Sequence, residues 1–424
     1  MEIALSQKHI LLVASTTGYQ TRMFAEAAKR LGFQLTLATD RCHVLDDPWG
    51  DNAIAVRFED PYGAAEAIAR ASGGTFGGLI AVGDRPAYIA ALAAERLGLL
   101  YHPPAAVEAS RNKYLARERF RGAGLLAPRY TRIPLDADWR AAALDARYPC
   151  VLKPLGLSAS RGVIRANDAS QFGAAFERIK KLLATPDIAR LRDWQDRYLQ
   201  AEDFIPGREF ALEGLLTAGR LRLLALFDKP DPLDGPFFEE TIYTTPSRAA
   251  EKTQTAIIET TARAIAALGL THGPVHAEMR VNARGVWMLE IAARPIGGLC
   301  ARALRFSPEV SLEEIILRHA MGEEIGPLEP KRPASGVMMV PIPREGVYES
   351  VSGIEEAAAV PGIEDVVITA KMGQRLIPLP EGASYLGFLF ARARTPAEVE
   401  DALRNAHAQL EFQIATALPV MAAD

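Results

Sequence analysis

The residues whose spacing carries chemistry lie between Gly273 and Leu299, in the stretch GPVHAEMRVNARGVWMLEIAARPIGGL. Val275 to Val281 and Val286 to Ala292 are rich in strand formers, and Asn282-Ala283-Arg284-Gly285 between them places glycine where a positive φ is wanted; the stretch predicts a β-hairpin. With Ala283 to Gly285 as a three-residue loop, Asn282 pairs with Val286, Arg280 with Met288, Glu278 with Glu290 and His276 with Ala292. Alternation then puts His276, Glu278, Arg280, Glu290 and Arg294 on one face, and Trp287, Leu289 and Ile291 on the other. Two carboxylates directly opposite lie roughly 4.5–5.5 Å apart at Cβ and repel, so a positive group belongs between them. A hard divalent cation fits: Mg²⁺ takes carboxylate oxygens and leaves its other positions to water and phosphate. The competing reading is a surface ion network in which Arg280 and Arg294 neutralise the pair.

Upstream stretches decide what such a pair would serve. Tyr148 to Leu155 (YPCVLKPL) reads as an apolar strand carrying one lysine, Lys153, followed by the loop GLSASRG from Gly156 to Gly162. Small residues such as Ser158, Ser160 and Gly162 let backbone N–H groups close around phosphate oxygens beside the lysine charge; alone, the loop reads equally as a turn joining two strands. Ser110 to Arg121 (SRNKYLARERFR) predicts one helix with Lys113 near its start. The segment Asp228 to Ser247, with four prolines and several acids, is long enough for a functional loop or lid, or for a solvated connection.

The remaining chain supplies the elements that must hold these residues. In the first hundred residues, strands at His9–Ser15, Gln34–Asp40, Ala53–Phe58 and Gly78–Asp84 alternate with helices at Tyr19–Leu31, Pro61–Ala71 and Pro86–Leu97, which predicts a doubly wound α/β sheet. No GxGxxG follows the first strand, which disfavours a dinucleotide-binding dehydrogenase. Asp168 to Leu183 repeats Phe172, Phe176, Ile179 and Leu183 at helical spacing, and strands follow at Tyr198–Phe204, Arg208–Leu216 and Leu221–Phe227. Lys252–Leu268 and Ser311–Met321 are helical, and Ser335–Pro341, Val366–Ala370 and Gly387–Arg394 are strands before a helix at Pro396–Ala406. The expected units are 1–105, 106–321 and 322–424, the last a small α+β unit packing on the site.

Composition excludes several function classes. A formal net charge of −4 in 424 residues gives no bulk reason for nucleic-acid binding. Three scattered cysteines, Cys42, Cys150 and Cys300, form neither a disulfide framework nor a metal-ligand spacing and fit a reducing compartment. No apolar run approaches the roughly 18 residues of a membrane span, and the start of the chain lacks a signal-peptide pattern, so a cytoplasmic location is expected. There is no GxSxG elbow and no recognisable Cys/His pair.

Taken in order, Lys113, Lys153 and its Gly/Ser loop, the run EDFIPGRE from Glu202 to Glu209, and Glu278 and Glu290 followed by Arg294 resemble the ATP-grasp ligases. The resemblance spans nearly the whole chain and implies a Rossmann-like N-terminal domain, a nucleotide-clamping central module and a C-terminal α+β domain similar to that of biotin carboxylase. VHAEMRV, LEIAARPIGG and DKPDPLDGPFFEETIYTTPS look closest to the L-amino-acid ligase branch, which makes dipeptides. By that resemblance Lys113, Lys153, Ser158, Ser160 and Gly162 meet the phosphates of ATP. The backbone of Glu202 to Ile205 recognises adenine, Glu209 lies near the ribose, and Glu278 and Glu290 bind Mg²⁺, or Mn²⁺ in its place. Arg294 steadies the acyl phosphate, with His276, Gly297 and Gly298 facing the substrate. The sequence departs from the family pattern Glu-x-Asn-x-Arg in having Ala292 at the asparagine position, which removes one oxygen from the metal shell.

The resemblance thus implies ATP-dependent joining of an amino-acid carboxylate to an amine through an acyl phosphate, releasing ADP and phosphate. Positioning and charge neutralisation carry such chemistry without a covalent nucleophile. His276 is either a catalytic group or a hydrogen-bonded wall residue. A bicarbonate ligase working through carboxyphosphate, and a nucleotide-binding regulator that has lost catalysis, stand as alternatives. The resemblance also implies a homodimer, although no stretch announces an interface.

Overall fold

The structure, a computed structural model, describes residues 8–15, 19–40, 52–306, 310–328 and 333–416. The expectations placed on Cys42 and on the first seven residues lie outside them.

The alternating pattern at the start builds a four-stranded sheet in the order Ala53–Ala55, Gln34–Thr39, His9–Ala14, Gly78–Val82, with every pairing parallel. Its last strand is buried throughout and runs into Gly83, whose φ of 102° turns the chain into the helix Asp84–Leu97. Asp84 therefore sits at the carboxyl end of a parallel strand, where open α/β sheets place their ligands.

The helix expected over Ser110 to Arg121 is two helices, Pro104–Arg111 and Lys113–Gly122. Asn112 between them is extended, at φ −116° and ψ 112°, and its side chain accepts from the Leu115 N–H. Asparagine competes with the helix for backbone hydrogen bonds, and here it stops one helix and caps the next. Lys113 becomes the first residue of the second helix, with its N–H bound to the Leu155 carbonyl at 2.9 Å.

An antiparallel sheet in the order Tyr130–Pro134, Tyr198–Asp203, Cys150–Pro154, Ile164–Ala166 carries Lys153. The helix Ala169–Leu183 covers it, burying Phe172, Phe176, Ile179 and Leu183 as their spacing predicts. The short helix Trp139–Asp145, without a long apolar repeat, has no counterpart in the sequence reading.

The largest sheet has eight strands, in the order Gly285–Ala292, Gly273–Asn282, Arg208–Thr217, Arg220–Lys229, Ile242–Thr245, Ala334–Val340, Gly387–Ala393, Ile363–Ile368. Asp228 to Ser247 is thus not one loop. Its Ile-Tyr-Thr-Thr run has the β-branched and aromatic side chains of a strand, pairs with Ala334–Val340 and meets Arg220–Lys229 at Asp228–Thr244. One apolar core continues across this seam, from Ile10 and Leu12 through Tyr243 to Leu312, Met339 and Phe388. A three-stranded sheet of Arg375–Leu376, Gly346–Ser352 and Glu411–Ala415 completes the C-terminal region; half-exposed and short, these strands escape the sequence pattern. No helix among the described residues is long and apolar enough to cross a membrane.

Candidate active site

The parallel sheet, the four-stranded antiparallel sheet and the eight-stranded sheet meet around a cavity of about 490 Å³, within the range of roughly 300–1,000 Å³ usual for small-molecule sites. Every residue singled out from the sequence lines it except Gly162. That glycine donates its N–H to the Pro380 carbonyl at 2.8 Å, and a Cβ there would meet Pro154 at 2.6 Å, so it shapes the loop from behind.

The hairpin pairs Glu278 with Glu290 and His276 with Ala292. Nearer the turn the expected register fails: Asn282 pairs with Gly285, Arg280 with Trp287, and a bulge follows Glu278. Oδ1 of Asn282 accepts from the Arg284 N–H at 2.9 Å and closes a two-residue turn, which leaves one residue surplus on the second strand. The surplus turns Leu289, expected on the far face, onto the cavity beside Glu290.

The two carboxylates stay partly open to the cavity. Their side chains are 24% and 28% exposed; Lys229 Nζ stands 3.3 Å from Glu278 and Lys113 Nζ 3.4 Å from Glu290, one lysine flanking each. Neither arginine of the competing reading neutralises them. Arg280 is buried, with Nε on Glu209 at 2.8 Å and its other nitrogens on the Ile205 and Leu233 carbonyls, and Arg294 is bound to Asp84. Oxygens of Glu209, Glu240 and Glu278 also lie within 4.8 Å of one another, but the Lys229 ammonium already bonds all three residues. The opposed pair therefore fits a hard divalent cation with open positions, and Ala292 adds no oxygen to it.

Both expected phosphate lysines are held in place by the fold. Lys153 Nζ lies 2.6 Å from Glu202 Oε2, whose other oxygen meets Arg117 at 2.8 Å and Gln200 at 2.6 Å. Burial opposes ionisation of Glu202, but Arg117 and Lys153 hold its pKa down at about 2. The carboxylate of Glu202 is thus committed to cations, and only its backbone is available to a base. Lys113 Nζ donates to the Leu157 carbonyl at 2.6 Å, tying this helix to the loop 156–162. Within that loop Ala159 and Ser160 both adopt left-handed backbones (φ 55° and 54°), a conformation that costs non-glycine residues roughly 1–2 kcal/mol each. Contacts from outside hold it there: besides Gly162 on Pro380, Arg161 Nε donates to the Glu381 carbonyl at 2.7 Å.

At the hairpin's other end Arg294 makes a bidentate pair with Asp84, at 2.8 and 3.2 Å. His276 lies between two acids, with Nδ1 3.1 Å from the fully buried Glu213 and Nε2 3.5 Å from Glu278. Burial opposes its charge, yet hydrogen bonds to those acids lift its pKa to about 9. Glu213 also accepts the Ile296 N–H at 3.2 Å, which fixes the strand exit leading to Gly297 and Gly298. Glu240, partly buried beside Glu278, is pushed up to about 7 by desolvation and by that neighbour's charge.

The sequence reading missed Asp84, Glu213, Lys229, Glu240 and Arg117. Asp84 carried a signal, as an acid ending an apolar strand; the others act through partners far away in the chain.

Comparison with known proteins agrees with this arrangement. Residues 146–303 match the ATP-grasp domain, and residues 338–415 match L-amino acid ligase C-terminal domain 2. Alanine–anticapsin ligase of Bacillus subtilis is 29% identical over 220 residues, covering 49% of this chain and 46% of that protein. The chain spans between 46% and 63% of the length of the first curated relatives it matches. The fold is that of the L-amino acid ligase from Bacillus licheniformis, with a TM-score of 0.79 at 24% identity over 97% of this chain and 100% of that one. It also matches the biotin carboxylase domain of the Hydrogenobacter thermophilus 2-oxoglutarate carboxylase, with a TM-score of 0.67 at 16% identity over 95% and 90% of the two chains. Residues 146–303 are thus an ATP-grasp domain and residues 338–415 an L-amino acid ligase C-terminal domain, set in the fold of an L-amino acid ligase.

Proposed function

We propose that the protein is an ATP-dependent carboxylate–amine ligase that phosphorylates an amino-acid carboxylate and passes the acyl group to an amine, forming an amide. The observation that carries this reading is the opposition of Glu278 and Glu290 across the hairpin, in one cavity with Lys113, Lys153 and Arg294. ATP is the phosphoryl donor and Mg²⁺ the divalent ion; at these carboxylates it would neutralise phosphate oxygens and align them for in-line transfer.

The chain's own residues do the rest. Lys113 and Lys153 take the phosphates under the loop 156–162. Ile205, Phe204, Leu233 and Phe238 give the base an apolar slot, and Glu209, locked by Lys229 and Arg280, offers an acceptor at the ribose. Arg294 neutralises the carboxylate as it becomes an acyl phosphate and again when the amine attacks its carbonyl, where charge develops on oxygen. His276, charged near neutrality, faces the same space and balances Glu278. The reading includes three units divided near residues 105 and 321, the third contributing strands to the central sheet, and a cytoplasmic location consistent with the free thiols Cys150 and Cys300.

Mass spectrometry of products from ATP, Mg²⁺ and a mixed amino-acid pool tests the reading. It requires amides formed one for one with ADP and abolished in Glu290→Ala. Turnover with bicarbonate alone, or nucleotide binding without any product, would replace it with a carboxyphosphate ligase or a regulator.

A further inference from the structure

The first two residues of the helix Asp84–Leu97 reach into different parts of the molecule. Asp84 lines the cavity and holds Arg294; Arg85 does not line it. Its guanidinium grips the segment 191–193 instead, with Nη1 2.8 Å from Asp193 Oδ2 and Nη2 donating to the Leu191 carbonyl at 3.0 Å. The side chains of Arg85 and Asp193 are 14% and 8% exposed, so water competes little for the pair. Burial opposes the charge of Asp193, yet Arg111, 2.6 Å from the same oxygen, and Arg85 hold its carboxyl below the usual carboxylate range.

From Asp193 the contacts run on to the phosphate end of the cavity. Its Oδ2 also accepts from Gln195 Nε2 at 3.0 Å, and Gln195 Oε1 accepts from Asn112 Nδ2 at 3.1 Å. Gln195 is buried against Gly156, the first residue of the loop 156–162, where any Cβ would overlap its amide. It lies on the turn Trp194–Arg197, which leads directly into the strand Tyr198–Asp203 that carries Glu202, the partner of Lys153. These ties matter because the sheet carrying Lys153 has an apolar core of its own, separate from the one that holds the helix Asp84–Leu97. Two bodies with separate cores stay aligned through the contacts between them. The gap from a γ-phosphate at Lys153 to a carboxylate at Arg294 spans both bodies, and phosphoryl transfer needs its reacting atoms within about 3–3.5 Å.

We propose that Arg85 is a positioning residue for phosphoryl transfer: through Asp193 it aligns the body that carries the loop 156–162 and Lys153 with the helix start whose Asp84 sets Arg294. This rests on the amide-ligase reading above. Arg85 then governs the rate of the chemical step and leaves the binding of each substrate nearly unchanged. The test uses the full chain with ATP, Mg²⁺ and an amino-acid pair that yields amide. Arg85→Ala and the longer Arg85→Gln lower kcat about tenfold, less than the roughly hundredfold of a full 1 Å misplacement, because Arg111 and Asn112 still hold Asp193 and Gln195. KM for ATP and for both amino acids stays within about threefold, as does the calorimetric Kd of the Mg²⁺ complex of a non-hydrolysable ATP analogue. Arg85→Lys, whose ammonium reaches Asp193 alone, recovers kcat to within about threefold of the wild type. Thermal unfolding reports that the variants fold, and Arg85→Gln, which keeps the length of the side chain and one donor, carries the test where Arg85→Ala does not. A kcat within about threefold of the wild type in Arg85→Gln would overturn the inference and leave the ligase reading standing. So would an analogue Kd that rises in step with the fall in kcat, since Arg85 would then act on nucleotide binding. Absence of amide from every amino-acid pair with the wild type would remove the ligase reading itself.

Discussion

Asp84→Asn separates positioning of Arg294 from binding of the nucleotide. Asp84 holds the guanidinium through two charge-assisted hydrogen bonds, at 2.8 and 3.2 Å, with both side chains about 15% exposed or less. Hydrogen bonds to charged groups contribute roughly 1.5–3 kcal/mol, so a full loss of orientation costs between about tenfold and about hundredfold in rate. Asparagine keeps one acceptor oxygen in place, so its effect falls at the lower end, about tenfold in kcat; Asp84→Ala, which also frees the arginine towards the acidic pair, falls near hundredfold. Asp84 and Arg294 form no hydrogen bond or ion pair with Lys113 or Lys153, although the charge of Lys113 acts on Asp84, and KM for ATP changes less than kcat. Coupled ADP release, with ATP varied at saturating amino acids, separates kcat from KM. Unchanged kcat in both variants, or an effect confined to KM for ATP, would refute the claim that Asp84 sets the arginine.

Three further perturbations follow from the same geometry. Glu202→Gln leaves the buried Lys153 and Arg117 uncompensated and costs about 3 kcal/mol in urea unfolding together with a weakened ATP affinity; a stability loss below about 1 kcal/mol would contradict that ion network. His102 is buried, accepts the Thr271 and His272 N–H groups on Nδ1, and is depressed by burial from 6.5 to about 4. Its neutral form belongs to the fold, so stability present above pH 6.5 falls by about 2 kcal/mol towards pH 5 and continues to fall to about pH 4; His102→Asn, which cannot protonate, flattens that slope, and an unchanged slope would exclude the residue as its source. Arg161 ties the loop 156–162 to the Glu381 carbonyl and to Asp187, so Arg161→Ala loosens the loop and raises KM for ATP severalfold; no change in KM would show that these two ties do not set the loop.

Local patterns in the chain were informative wherever a side chain's partner is its neighbour on the same element. Alternation marks the two strands of the hairpin, but the expected pairing of Glu278 with Glu290 holds only because the bulge after Glu278 restores the offset that the shorter turn removes; the apolar repeat of Phe172, Phe176, Ile179 and Leu183 marks the helix behind Lys153. The turn end of the hairpin was misread because one side-chain oxygen, Asn282 Oδ1, selects the shorter loop and forces a bulge. The strand Ile242–Thr245 was hidden by the prolines and acids around it, and the break at Asn112 by the helix formers on either side. Long-range pairs left no trace in the sequence: Asp84 lies 210 residues from Arg294 and Arg117 lies 85 from Glu202. Such contacts are set by how the sheets pack, and no periodicity within either segment encodes them.

The central claim is that Glu278 and Glu290 together hold the divalent ion that accompanies the nucleotide. Binding of Mn²⁺ followed by its electron paramagnetic resonance signal, titrated with and without ATP, tests it without any need for turnover. One bound ion per chain is expected in the presence of ATP, lost in Glu278→Ala and in Glu290→Ala. Equal Mn²⁺ binding by the wild type and both alanine variants would contradict it.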